Sequence, residues 1–184
     1  MPTRVLLLRH GTPVPKEEDS EQPLSTDGVA EAVFTAHAVA ACVGLDSKFG
    51  KPTSQAQLDV IVTHSGKARA EQTAGILCDT LVLGGAKLLG NAADAESLAP
   101  NADPTTVLEL MGGLVVSQET LLVLVGHLPS LHRVAEALGV QATAEQFTPA
   151  GGLLLQRGSA VSAWSLEAVV DKTSWWMEAP PPPP

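Results

Sequence analysis

The chain has 184 residues, of which 45% are hydrophobic and 17% charged, with a formal net charge of −9. This balance belongs to a globular chain long enough for one compact domain, and it excludes an intrinsically disordered protein. The acidic total argues against nucleic acid as a partner, because phosphate backbones need a basic face, and no apolar run approaches the roughly 20 residues of a membrane helix.

A small anion pocket stays open, since a few arginines can be positive locally within an acidic protein. Met1-Pro2-Thr3-Arg4 leads directly into the first apolar run without a signal-peptide pattern, so a cytoplasmic protein is expected. Cys42 and Cys78 each sit in an Ala-rich apolar segment. They fit a reducing compartment and a packing role as buried, inert thiols.

Taken in order, Val5-Leu6-Leu7-Leu8 reads as a buried strand that stops at Arg9-His10-Gly11-Thr12. A polar connection from Pro13 to Pro23 follows, and Ser25, Thr26 or Asp27 can cap a helix predicted over Val29 to Val43. Gly44 ends that helix, and Asp46 to Gln57 reads as a loop. Leu58-Asp59-Val60-Ile61-Val62 is a second strand, ending in Thr63-His64-Ser65-Gly66. A second helix is predicted from about Lys67 to Leu83, with Arg69 in its first turn and Gly84-Gly85 as its stop.

Lys87-Leu88-Leu89 can form a short strand, Glu96 to Asp103 reads as a loop, and Pro104 suits the first turn of a third helix to about Met111. Leu121 to Val125 is the third buried strand and ends in Gly126-His127. A helix follows from Pro129 through Leu138. Gly152 to Gln156 and Ala160 to Leu166 read as a hairpin about a tight Arg157-Gly158-Ser159 turn. Trp175 and Trp176 are expected to cap the core edge, and the prolines at 180–184 to form an extended, disordered end. Neither an internal repeat nor an inner boundary is visible, so residues 1–178 are expected to be one domain and 179–184 a tail.

Strands that are apolar throughout, alternating with helices, imply an α/β fold with a largely parallel sheet covered on both faces, the hairpin adding an antiparallel edge. The three apolar strands end at His10, His64 and His127, and the carboxyl ends of parallel strands share one sheet edge. Arg9 and Arg69 join them, the latter near backbone N–H groups at a helix start. Two guanidiniums, at least two imidazoles and backbone donors make an oxyanion pocket suited to phosphoryl. No Walker loop and no metal-ligand spacing is present in the sequence, so neither cofactor nor metal is expected. The protein must then supply a nucleophile, and a neutral imidazole can attack phosphorus and hold the group as phosphohistidine. A second imidazole can stabilise the equatorial oxygens.

Three segments carry a family resemblance: Leu8-Arg9-His10-Gly11-Thr12, Ser65-Gly66-Lys67-Ala68-Arg69-Ala70-Glu71-Gln72-Thr73-Ala74, and Val125-Gly126-His127-Leu128-Pro129. Together with Phe147-Thr148-Pro149-Ala150-Gly151 and Trp176-Met177, they resemble the histidine phosphatase superfamily over roughly residues 3 to 178. The chain looks more like the short SixA-type phosphohistidine phosphatases than the longer phosphoglycerate mutases. The resemblance implies a three-layer α/β/α sandwich of the phosphoglycerate mutase type. It implies that His10 is the nucleophile, that Arg9 and Arg69 clamp the phosphoryl oxygens, that Gly11 admits the group closely, and that His127 is the second, electrostatic histidine.

Ester-hydrolysing members of that superfamily use a carboxylic acid to protonate the departing alkoxide, and here the matching region offers Glu96, Asp94 and Asp103 without a motif to select among them. An imidazole leaves a phosphoramidate more readily than an alkoxide leaves an ester and needs less acid help. The expected substrate is therefore phosphohistidine on a partner protein. A small-molecule phosphomonoesterase and a phospho-binding scaffold with little turnover are the rivals. His64 reads equally as a ligand contact or a cap of the following helix. Lys67 reads as a solvated lysine, with positive potential at the pocket rim as the alternative, His37 as structural or solvent-facing, and His132 as a surface residue.

Overall fold

The computed structural model describes residues 4–46, 51–52, 57–114, 120–158 and 163–173. Strand β1 (Arg4–Arg9) is the first apolar run, with Val5 to Leu8 buried. Helix α1 (Thr26–Cys42) is capped by Ser25, whose side chain accepts the Gly28 N–H, and Gly44 leaves it with φ 78°. Within the predicted loop that follows, β2 (Leu45–Asp46) and β3 (Lys51–Pro52) form a two-residue antiparallel ladder.

Next come β4 (Asp59–His64) and α2 (Ala68–Leu83). β5 (Lys87–Ala93) is longer than the predicted Lys87-Leu88-Leu89, because pairing with β4 continues through Gly90 and Asn91. The predicted loop from Glu96 holds the end of a short helix, α3 (Ala95–Leu98), capped by Asp94. α4 (Pro104–Gly113), β6 (Thr120–Gly126) and α5 (Ser130–Ala137) lie where expected.

A 3-10 turn at Ala144–Gln146 precedes β7 (Gly152–Arg157) and β8 (Trp164–Val170). β8 is displaced from the predicted 160–166, and Gly158 N–H donates to Ala163 C=O across the connection (3.3 Å). Residues 159–162, on which part of the predicted turn and strand falls, and 174–184, with Trp175, Trp176 and the prolines, lie outside the described residues.

Among the described residues, six strands form one sheet in the order β5-β4-β6-β1-β7-β8. The first four are mutually parallel, β7 is antiparallel to β1, and β8 is antiparallel to β7. Alternate residues of the central strands face opposite layers. Leu6, Leu8, Val123 and Val125 pack with Ala36, Val39, Ala74 and Leu77 of α1 and α2. Val5, Leu7, Leu122 and Leu124 pack with Val107, Met111, Leu131 and Val134 of α4 and α5. Each fully buried leucine contributes about 1.5–3 kcal/mol of burial free energy. The result is a three-layer α/β/α sandwich with an antiparallel hairpin at one edge.

Two side chains depart from expectation. Cys42, in the last residue of α1, is exposed, whereas Cys78 is buried. His132 is partly buried, and its Nε2 bonds the Ala142 carbonyl at 2.9 Å.

Candidate active site

β1 and β6 are parallel neighbours with Arg9 opposite Gly126, so the next residues, His10 and His127, emerge side by side at the carboxyl edge of the sheet. Their ring centroids are 4.7 Å apart at an interplanar angle of 58°. On the other side of β6, His64 of β4 stands opposite Val125. The chain then enters α2 within four residues, which returns Arg69 to the same edge. His10 N–H donates to Gly126 C=O (3.2 Å) and Ser65 N–H to Val125 C=O (3.1 Å), so the ladder holds the backbone of both loops.

The hydrogen bonds of His10 define its tautomer. Its Nδ1 lies 2.7 Å from the Gly11 carbonyl, which can only accept, so Nδ1 carries the hydrogen. Nε2 is then a lone pair, and it accepts from Arg69 Nε at 3.3 Å. Burial pushes the ring pKa down, the bond to Gly11 opposes this, and the charges of Arg69 and Arg9 lower it further, to about 4. The imidazole is neutral at physiological pH, with its free electron pair at the mouth of a guanidinium. A neutral ring with a free lone pair beside a cation has the chemistry a nucleophilic imidazole needs.

Arg9 is tethered through Nη1 to the Phe147 carbonyl at 3.0 Å. The segment that supplies this carbonyl also binds the backbone of β1, with Ala150 N–H donating to His10 C=O (3.1 Å) and Arg9 N–H to Gly151 C=O (2.9 Å). His127 is 3% exposed. Burial first, then the neighbouring charges of His10, Arg69, Lys67 and Arg9, lower its pKa to about 3. Lys67 is exposed, as a solvated lysine is, and its charge also helps to lower the His127 pKa.

Three polar residues that sequence reasoning missed support these groups. Ser65 Oγ lies 2.7 Å from His127 Nε2. Thr73 Oγ1 accepts from Gly11 N–H (3.1 Å) and donates to Arg69 C=O (2.7 Å), which joins the His10 loop to the helix of Arg69. Glu31 accepts from Thr12 N–H (3.0 Å) and Thr12 Oγ1 (2.8 Å), and its other oxygen meets Lys172 Nζ at 3.1 Å. Burial raises the Glu31 carboxyl, but these donors outweigh it and hold the group below the usual range. Ser65 and Thr73 flank Arg69 within one quoted segment, which is the signal that could have found them; Glu31 left none.

Other candidates are occupied elsewhere. His64 Nδ1 accepts from Gly66 N–H at 3.2 Å, so this histidine stitches the turn before α2. Asp94 caps α3 through Ser97 N–H, and Asp103 caps α4 through Thr105 N–H, both at 2.9 Å. Glu96 is exposed on α3, whose Leu98 carbonyl packs against Gly126 beside His127. Of the three carboxylates, it is the one without a capping role.

This architecture has solved counterparts. The protein histidine phosphatase SixA complexed with tungstate is similar at a TM-score of 0.67 and 18% identity, over 92% of this chain and 97% of that one. A SixA from Agrobacterium tumefaciens, assigned as a phosphohistidine phosphatase, is similar at a TM-score of 0.56 and 25% identity, with the same 92% and 97% coverage. A phosphoglycerate mutase from Plasmodium falciparum is similar at 0.54 and 17% identity, over 89% of this chain and 87% of that one. No protein-family model and no curated protein sequence matches the chain, so the likeness lies in structure. In fold, the chain groups with the SixA-type proteins of the histidine phosphatase superfamily.

Proposed function

We propose that the protein is a metal-independent phosphatase that works through a phosphohistidine at His10 and removes phosphoryl from phosphohistidine on a partner protein. The observation that carries this reading is the neutral His10 ring. Its Nδ1–H is fixed by Gly11 C=O and its Nε2 lone pair lies 3.3 Å from Arg69 Nε, beside the His127 ring. The SixA structure with bound tungstate shows that a neighbour of this fold takes a tetrahedral oxyanion.

The geometry supports a two-step displacement. A bound phosphoryl replaces His10 Nε2 as the acceptor of the Arg69 hydrogen bond, which frees the lone pair for attack on phosphorus. As the Nε2–P bond forms, the P–N bond of the substrate, whose ring is protonated on its other nitrogen, breaks, and the imidazole leaves neutral with that proton. Positive charge gathered on the His10 ring strengthens the Nδ1–H bond to Gly11 C=O. Arg9 and Arg69 neutralise the phosphoryl oxygens, and His127 donates a hydrogen bond to them. Water then attacks phosphorus, the Nε2–P bond breaks, and phosphate departs.

Phosphohistidine is favoured over an ester because Asp94 and Asp103 are spent in helix caps. The test is kcat/KM on a phosphohistidine peptide against sugar and nucleotide monophosphates. The phosphoramidate is expected to react faster, with Glu96→Gln leaving its rate unchanged. Faster esters with a Glu96→Gln defect confined to them would identify a small-molecule phosphomonoesterase. Binding without turnover would identify a scaffold.

A further inference from the structure

The bond between Ser65 Oγ and His127 Nε2 is 2.7 Å long, and both residues are buried. A hydroxyl can give or take a hydrogen, so the distance alone accommodates either ring tautomer. The choice matters because Ser65 occupies Nε2 and leaves Nδ1 as the nitrogen a ligand can meet. An ionised phosphoryl group offers only acceptors. A neutral ring with its lone pair at Nδ1 would repel it, whereas a ring with hydrogen at Nδ1 would bind it.

Double protonation is not a way round this. Burial and the charges of Arg69, Lys67 and Arg9 oppose it in the empty site. Which nitrogen of a neutral histidine holds the hydrogen is set by the bond the other makes. Ser65 is well placed to make that bond, since its backbone N–H is fixed to Val125 C=O on β6 at 3.1 Å, two residues before His127.

We propose that Ser65 is a positioning residue: it donates its hydroxyl hydrogen to His127 Nε2, holds the ring as the Nδ1–H tautomer, and so presents a donor to the phosphoryl group on His10. This rests on reading the site as a phosphoryl-transfer pocket. It adds a residue that touches neither substrate nor nucleophile and acts only through His127.

The test combines spectroscopy with kinetics on the full chain. In protein labelled with 15N-histidine, His127 is expected to show a protonated Nδ1 and an unprotonated Nε2, with and without inorganic phosphate. Ser65→Ala should shift the ring toward the Nε2–H form. It should lower kcat on a phosphoramidate about 10- to 100-fold, the range found where a metal-ligating histidine loses its orienting partner, with KM little changed. Ser65→Thr, which keeps the hydroxyl, should restore the Nδ1–H signature and most of the rate. An Nε2–H His127 in the wild-type protein would overturn the proposal whatever the variants do, and so would a Ser65→Ala protein with full kcat. A wild-type chain that forms no phosphoenzyme on His10 would overturn the functional reading and this proposal together. A wild-type phosphoenzyme with Nε2–H His127 would remove this proposal alone.

Discussion

His10 makes two hydrogen bonds of opposite sense, giving at Nδ1 and taking at Nε2, and the pair fixes both its tautomer and its charge. The consequence is a pH profile unlike that of a solvated histidine. With the His10 pKa lowered from 6.5 to about 4, mainly by burial, kcat/KM should stay high below pH 6 and fall only near pH 4, after correction for substrate ionisation. An acid limb centred near 6.5 would mean that the nucleophile is not desolvated. The same shifts act on stability. Between about 4 and 6.5 the unfolded chain binds more protons than the folded chain at His10, and His127 extends the window to about 3. Stability therefore rises with pH through this range and is lost as pH falls through it.

The four residues His10, Arg9, Arg69 and His127 were legible because each stands next to a strand or helix end that periodicity alone locates. Their partners were less so. The Ser65–His127 and Glu31–Thr12 bonds join positions 62 and 19 residues apart, and such pairings follow from tertiary approach, not from local pattern.

At the level of elements, the first turn of α1 braces the loop that carries His10. A Cβ on Gly28 would come within 2.0 Å of the Thr12 carbonyl oxygen, and one on Gly11 within 2.7 Å of the Gly28 carbonyl oxygen. Ser25 adds two bonds to Thr12 C=O, from its N–H (2.9 Å) and its Oγ (3.0 Å). Gly28→Ala should therefore push Gly11 and Thr12 off their positions, costing about 1–3 kcal/mol of stability as overpacking does and lowering turnover with it. Gly75→Ala on α2, where an added Cβ meets nothing within 4 Å, should instead stabilise by about 1 kcal/mol through helix propensity. Urea unfolding with activity measured on both variants checks the contrast, and a neutral Gly28→Ala would show that α1 does not brace the loop.

Elements differed in how plainly they could be read. β1 and β6 are buried on both faces, so their apolar runs mark them. β8 is an edge strand with mixed exposure, and its sequence carries no such apolar run to mark where it starts. β5 is mostly exposed and interrupted by Gly90 and Asn91, and only its parallel partner β4 makes it a strand. The described part of α3 is four residues long, too short for helical periodicity to show.

For the whole molecule, an acidic chain of net charge −9 concentrates Arg9, Arg69 and Lys67 about one sheet edge. Long-range repulsion of anions and local attraction act on different scales, and salt screens the first more than the second. The parallel strands β4, β6 and β1 make this arrangement possible, since their shared polarity sets His10, His127 and Arg69 together from three distant segments. On the proposed function, this convergence makes His10 a phosphoryl acceptor. Rapid quenching of the chain with a 32P-phosphoramidate, followed by mapping of the labelled residue, tests it most directly. The expected result is an acid-labile, base-stable label on His10 that appears before steady-state phosphate release and is absent from His10→Ala. A phosphatase that turns over with no label on His10, or with undiminished rate in His10→Ala, would contradict it.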